Sequence, residues 1–215
     1  MQLTNKGFSL VELMVAMVAG LILVAAVTTL FVTTLRANST AMKVSRLNQE
    51  VQAITDMISR DIQRAGYDAS AATSLRLVSG ATHPFYFDAN TDWNNACVLV
   101  RYDGRNIDNA PSSANGIPED NEAVVYSYRA DKSVRVDEYS AVVSSPLSTL
   151  CSASGANAIS TDGTIEITQF NFSFFPSSKP DGARAIKLEI TGRYKDNPEL
   201  TLSLSRDIKL RNDGY

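Results

Sequence analysis

The chain has 215 residues, 44% of them apolar and 20% charged, a composition of folded proteins rather than of disordered or collagen-like ones. Its 20 Lys and Arg face 23 Asp and Glu, and this mild acidity offers no basic footprint for a phosphate backbone, so nucleic acid is not an expected partner. Charge is unevenly spread, because Lys6 and Glu12 are the only charged side chains in residues 1–35. From Leu13 to Leu35, 23 residues pass without a charge. As a helix at 1.5 Å per residue that stretch covers roughly 35 Å, enough to cross a bilayer core. A cleaved secretory signal has a shorter apolar run of about 7–15 residues followed by a small-residue cleavage site. Here the run is too long for that, and it is preceded by a polar MQLTNKG, starts at Phe8 and is broken only by Glu12.

An unpaired carboxylate in a membrane helix costs about 2.5–3.5 kcal/mol near the bilayer centre and less near an interface. Glu12 therefore either has a cationic partner or sits at headgroup level in the first turn, where a negative charge suits the helix macrodipole. The string Lys6-Gly7-Phe8-Ser9-Leu10-Val11-Glu12 resembles the processing site of class III signal peptides, as found in type IV pilins and their relatives. The resemblance implies that prepilin peptidase cuts after Gly7 on the cytoplasmic side and methylates the new amine of Phe8. It also implies that Glu12 docks against the amine of a neighbouring subunit. Breaking a buried pair of this kind costs about 3–5 kcal/mol, so pairing favours docking in one axial register. The usual charge rule points the other way, since one Lys precedes the span and Arg36, Lys43 and Arg46 follow it. The processing-site resemblance and the cysteine pair described below place the bulk of the chain outside the cytoplasm.

Between Phe8 and Gly66 there is no proline, and beyond Leu35 apolar residues recur at Leu47, Val51, Ile54, Ile58, Ile62 and Ala65, the stripe of an amphipathic helix. Asp56 and Arg60, Asp61 and Arg64, and Arg46 and Glu50 stand at ion-pair spacing on other faces, each pair worth a few tenths of a kcal/mol. Gly66 suits the C′ position and Arg64 the last turn, so one helix is expected to run from Phe8 to Gly66. The block from Ser45 to Glu50 and the run Ser59-Arg60-Asp61-Ile62-Gln63-Arg64-Ala65-Gly66-Tyr67 are similar to the W-type minor pilins. Major pilins commonly carry a kinking proline about seventeen residues beyond the glutamate. This chain has Thr29 there and its first proline at Pro84, which favours a minor pilin or a secretion-system pseudopilin. Gly20 and the cluster Thr28, Thr29, Thr33 and Thr34 offer another place for the helix to loosen.

After Tyr67 the pattern changes to period two. Expected strands are Leu75–Val78, Phe85–Phe87, Cys97–Tyr102, Ala123–Ala130, Ser133–Tyr139, Thr164–Phe175, Ala185–Tyr194 and Leu200–Leu210. In the last, Leu200, Leu202, Leu204, Ile208 and Leu210 share one face, which Arg206 interrupts. In Thr164–Phe175 the apolar parity slips from Ile165 and Ile167 to Phe170, Phe172 and Phe174, predicting a bulge or bend near Gln169. Val125–Tyr128, a turn at 130–132 and Val134–Val136 read as a hairpin. The connections 104–122 and 140–163 read as exposed loops.

Cys97 and Cys151 are the only cysteines, too far apart for a CxxC motif, and an even count fits an oxidising compartment. A disulfide between them is expected, and in the chain-entropy model it would contribute roughly 4 kcal/mol. Two buried thiols are the alternative. His83 is the only histidine, no G-x-S-x-G or phosphate-loop string occurs, and a zinc site lacks ligands. Asp88, Asn90 and Asp92 have calcium-loop spacing, but Trp93 stands where Gly is needed and Leu99 where a bidentate Glu belongs, so an Asx-rich turn is the better reading. Trp93 fits packing against a sheet edge better than an exposed interface anchor.

The reading is an α+β, pilin-like fold: a long N-terminal α-helix, transmembrane in its first half and amphipathic in its second, packed on a C-terminal antiparallel β-sheet domain. Its parts are residues 1–7 as leader, 8–35 as membrane and fibre-core helix, 36–66 as amphipathic helix and 67–215 as exported β-rich domain. What the resemblance implies is a structural subunit without cofactor, metal or catalytic residues, processed by prepilin peptidase. Such a subunit is held in the inner membrane with its C-terminal domain in the periplasm. It primes type IV pilus assembly with other minor pilins and the major pilin, and joins the fibre or its tip. The alternatives are a J-type pseudopilin of a type II secretion system and a membrane-anchored periplasmic binding module or hydrolase.

Overall fold

The computed structural model describes residues 7, 9–65, 85–87, 97–101, 123–139, 151–152, 154–160, 163–175 and 185–210. The expected strand 75–78, Gly66, His83, Trp93 and the Asp88, Asn90, Asp92 string lie outside these. The chain divides into two compact units, Met1–Ser45 and Arg46–Tyr215.

Helix α1 runs unbroken from Leu10 to Arg64, 55 residues, and so passes from the first unit into the second. In the first unit its large apolar side chains are exposed, Leu21 at 68% and Phe31 at 63% among them. No proline interrupts it. The hydroxyls of Thr28, Thr29, Thr33 and Thr34 donate to helix carbonyls one turn back, at 2.8 to 3.1 Å for the four-residue bonds, so the cluster is accommodated without a break.

In the second unit the expected stripe is the buried one. Leu47, Val51, Ile54, Ile58, Ile62 and Ala65 are all at most 4% exposed. They share one core with residues of two antiparallel sheets. The first sheet has the order β1 (Phe85–Phe87), β2 (Cys97–Arg101), β3 (Ala123–Tyr128), β4 (Val134–Tyr139), β5 (Asn157–Ala158). The second has the order β6 (Ile165–Phe175), β7 (Ala185–Tyr194), β8 (Thr201–Lys209). Strand alternation alone reads as one sheet. The break between β5 and β6 makes two, and β5 itself falls inside the expected loop 140–163. At two residues β5 is too short to show periodicity. It is held by pairing with Arg135 and Val136, by the Ile159 N–H to the Val134 carbonyl and by the Val134 N–H to Ser160 Oγ.

The parity slip in β6 is a bulge: the register with β7 shifts between Ile167 and Gln169, and Ile165, Ile167, Phe170 and Phe172 are all buried as a result. Both backbone groups of Ile167 bond the β3–β4 hairpin, its N–H donating to the Lys132 carbonyl at 2.9 Å and its carbonyl accepting from the Tyr128 hydroxyl at 2.7 Å. The bulge thus joins the two sheets. The hairpin itself closes with the Lys132 N–H on the Arg129 carbonyl, and Lys132 takes a left-handed φ of 64° at the position where such three-residue loops require one.

Candidate functional site

The N-terminal end of α1 carries the residues the sequence singles out. Gly7 is exposed, lies outside regular structure and has no heavy atom within 4 Å of where a Cβ would sit. Phe8 lies outside the described residues. The Ser9 carbonyl accepts the Leu13 N–H at 3.1 Å, so the helix is entered two residues beyond Gly7. Glu12 follows in the first turn, exposed, where the unsatisfied N–H groups of the helix end favour negative charge. Its neighbours Leu10, Val11, Leu13 and Met14 are all more than half exposed. The result is a single carboxylate on an apolar cylinder whose large side chains are exposed among the described residues. Such a group is chemically suited to holding one cation in an environment that excludes water.

The second unit contains ion pairs and polar contacts that position elements. Arg206, which breaks the apolar face of β8, pairs with Asp56 of α1. Arg60, spaced to pair with Asp56, instead donates through Nε to the Asp56 carbonyl at 3.2 Å, which leaves the carboxylate to Arg206. Asp61 is buried and accepts a 2.6 Å hydrogen bond from the fully buried Tyr126. Glu166 collects Arg193 at 2.8 Å and Lys132 at 3.3 Å, and the Arg193 hydrogen bonds hold its carboxyl below the usual range. The Ser133 hydroxyl and the Arg135 guanidinium hold Asp131 down at about 2, against the opposing effect of partial burial. Burial first, then the charges of Glu166 and Asp131, push the Tyr128 phenol up.

Cys97 and Cys151 form a disulfide with a Cα–Cα distance of 5.9 Å, as expected, tying β2 to the residues ahead of β5. Gly192 of β7 is a packing position that strand alternation does not single out. A Cβ there would lie 2.8 Å from Val51 Cγ2 and 3.3 Å from Leu47 Cδ1, so the missing side chain is what lets α1 approach β7.

Comparison with known proteins divides along the same line. Residues 3–28, which contain Gly7 and Glu12, match the model of the prokaryotic N-terminal methylation motif. Residues 40–210 match the family model described as prepilin peptidase-dependent protein B. No curated protein and no solved structure matches the chain.

Proposed function

Because the chain belongs to the prepilin peptidase-dependent protein B family, and is a type IV pilin-like protein with a prepilin-type signal and an apolar helix suited to membrane anchoring, we propose that it is a W-type minor pilin that primes type IV pilus assembly. In this reading prepilin peptidase cuts after Gly7 and methylates Phe8. The helix holds the subunit in the inner membrane with the β-rich part in the periplasm. Glu12 then docks on the free amine of a neighbouring pilin, major or minor, and the subunit acts by assembly rather than catalysis.

The observation that carries the proposal is the isolation of Glu12. It stands five residues beyond Gly7 and is the only acid in the first 49 residues. The mature amine and the glutamate are the two charges that an otherwise uncharged helix end would have to bring together. Mass spectrometry of the protein recovered from membranes tests this directly. The expected N-terminus is methylated Phe8, and recovery of intact Met1 overturns the proposal. A J-type pseudopilin of a type II secretion system would share this chemistry and also lacks the proline that Thr29 replaces. Loss of twitching in a deletion strain supports the pilus reading, and loss of exoprotein secretion supports the other.

A further inference from the structure

Strand β8 is an edge of the second sheet. The Tyr194 N–H donates to the Leu200 carbonyl at 3.0 Å, and from there the β7–β8 register runs without a shift to Ala185 and Lys209. In an antiparallel ladder every second pair exchanges hydrogen bonds. Leu202, Leu204, Arg206 and Ile208 therefore turn their N–H and carbonyl groups to β7, and Ser203, Ser205, Asp207 and Lys209 turn theirs outward. Among the described residues no other strand and no backbone hydrogen bond meets that outward side. The opposite edge of the sheet differs, because the β3–β4 hairpin takes both backbone groups of Ile167. Beside the open edge, Leu202 and Leu204 pack on the core and stay partly exposed. The usual guards of such an edge are a proline, a bulge or a charge pointing inward. β8 has neither proline nor bulge, and Arg206, its one charge on the core side, is drawn to Asp56 of α1.

We infer that β8 is the acceptor edge for an extended segment of another protein. The segment adds antiparallel, with aliphatic side chains on the face that covers Leu202 and Leu204 and a cation at the level of Asp207. In this mode backbone pairing supplies affinity and alternate side chains supply specificity. A second copy of β8 does not fit. β8 runs the same way as the part of α1 beside it: Gly192, which pairs with Leu202, lies against Leu47 and Val51, and Arg206 meets Asp56. Two β8 strands paired antiparallel would point the two helices in opposite directions, whereas chains anchored in one membrane share a direction. Parallel pairing, the arrangement left to them, is the less stable per residue. The argument against a second copy rests on the membrane-anchoring reading of α1, and the open edge does not.

The probe is an acetylated, amidated peptide with the β7 sequence from Ala185 to Arg193, which carries this pattern: in the register that β7 itself uses, Ile190 faces Leu204 and Lys187 faces Asp207. Fluorescence anisotropy of the labelled peptide with the full chain in detergent is expected to show saturable binding. N-methylation of the peptide at Lys187 and Glu189 removes two donors that would point at β8 and keeps every side chain, so binding should weaken at least about tenfold. Ser205→Pro should weaken it as much while leaving the unfolding midpoint close to wild type, because the N–H it removes points away from β7. The N-methylated peptide leaves the chain untouched and decides the matter even where the proline disturbs the strand. No saturable binding up to about 1 mM peptide, equal binding of the N-methylated peptide, or undiminished binding by Ser205→Pro overturns the inference. Ser205→Cys oxidised in membranes should stay monomeric, and disulfide-linked dimers would put a second copy on the edge and overturn the choice of occupant. Failure of the peptide to bind leaves the anchoring reading standing, since the measurement in detergent does not use the membrane.

Discussion

One helix lies in two settings in this molecule. From Leu10 to Ser45 it exposes Leu, Ile, Val and Phe on every side, whereas from Leu47 to Ala65 it buries one apolar stripe against two sheets. The backbone is the same and the side-chain chemistry overlaps, so the difference lies in what covers the apolar surface. The second half is covered by its own chain and its residues contribute to folding. In the proposed reading the first half is covered by lipid or by other subunits, and its residues contribute to where the protein goes and what it joins. Substitutions should divide in the same way.

The largest expected effect is at Glu12. Glu12→Ala removes one partner of the proposed buried pair, a loss of about 3–5 kcal/mol per contact, equivalent to two or more orders of magnitude in association. Incorporation into shear-purified fibres should fall to background while the unfolding midpoint of the detergent-solubilised chain stays unchanged. Normal incorporation of the variant would remove the docking role.

A matched pair probes the two halves by stability. Ile58→Ala deletes fully buried methyl groups and should cost about 2–5 kcal/mol in urea unfolding. Leu30→Ala, at a position 68% exposed, should stay within about 0.5 kcal/mol. Equal losses at the two sites would mean that the first half is packed by its own chain after all.

Gly192→Ala comes next. The added methyl meets Val51, whose branched side chain has little rotamer freedom on a helix, so an overpacking loss of about 1–3 kcal/mol is expected. Because Val51 is the obstacle, Val51→Ala should absorb much of that loss, and the double-mutant cycle should show coupling above about 0.5 kcal/mol. Additive effects would show that helix and strand do not meet there. Arg206→Ala should cost at most about 1 kcal/mol, with the loss shrinking in high salt, because its pair with Asp56 is open to solvent.

These sites also show what can be read before folding. The stripe Leu47 to Ala65 was legible because six apolar residues at helical spacing admit one face. The bulge at Thr168 was legible because burial on one face forces a parity slip to be absorbed somewhere. Ala185–Tyr194 was legible to the residue. The place of Glu12 in the exposed first turn of α1 was legible too, since scarcity of charge isolates Lys6 and Glu12 around Gly7. The second sheet, the two-residue β5, the Arg206 to Asp56 pair and the approach at Gly192 were not. Each depends on which distant residues meet, and the Asp56 to Arg206 separation of 150 residues leaves no trace in local spacing. Local spacing in fact suggested Arg60 as the partner of Asp56, and the tertiary contact won.

The smallest effect separates the halves by pH. Asp131 is held at about 2 against an ordinary 3.8, so its ionised form is favoured by folding. A depressed carboxyl contributes stability that is fully present above its unfolded value and is lost as pH falls through the folded one. The side chain is half exposed, and solvent screening limits the contribution to less than about 1 kcal/mol. Urea midpoints of the wild type and Asp131→Asn should therefore differ slightly at pH 5 and converge as the pH approaches 2. Glu166 is shifted in the same direction by Arg193 and Lys132, so the second unit as a whole should weaken on acidification. Residues 13–35 contain no titratable side chain, and the helical signal of that stretch in detergent should not follow the same curve. A gap between wild type and Asp131→Asn that widened on acidification would reverse the sign and require that Asp131 be better held when protonated, which the three donors on its carboxylate, the Ser133 N–H and hydroxyl and the Arg135 guanidinium, oppose.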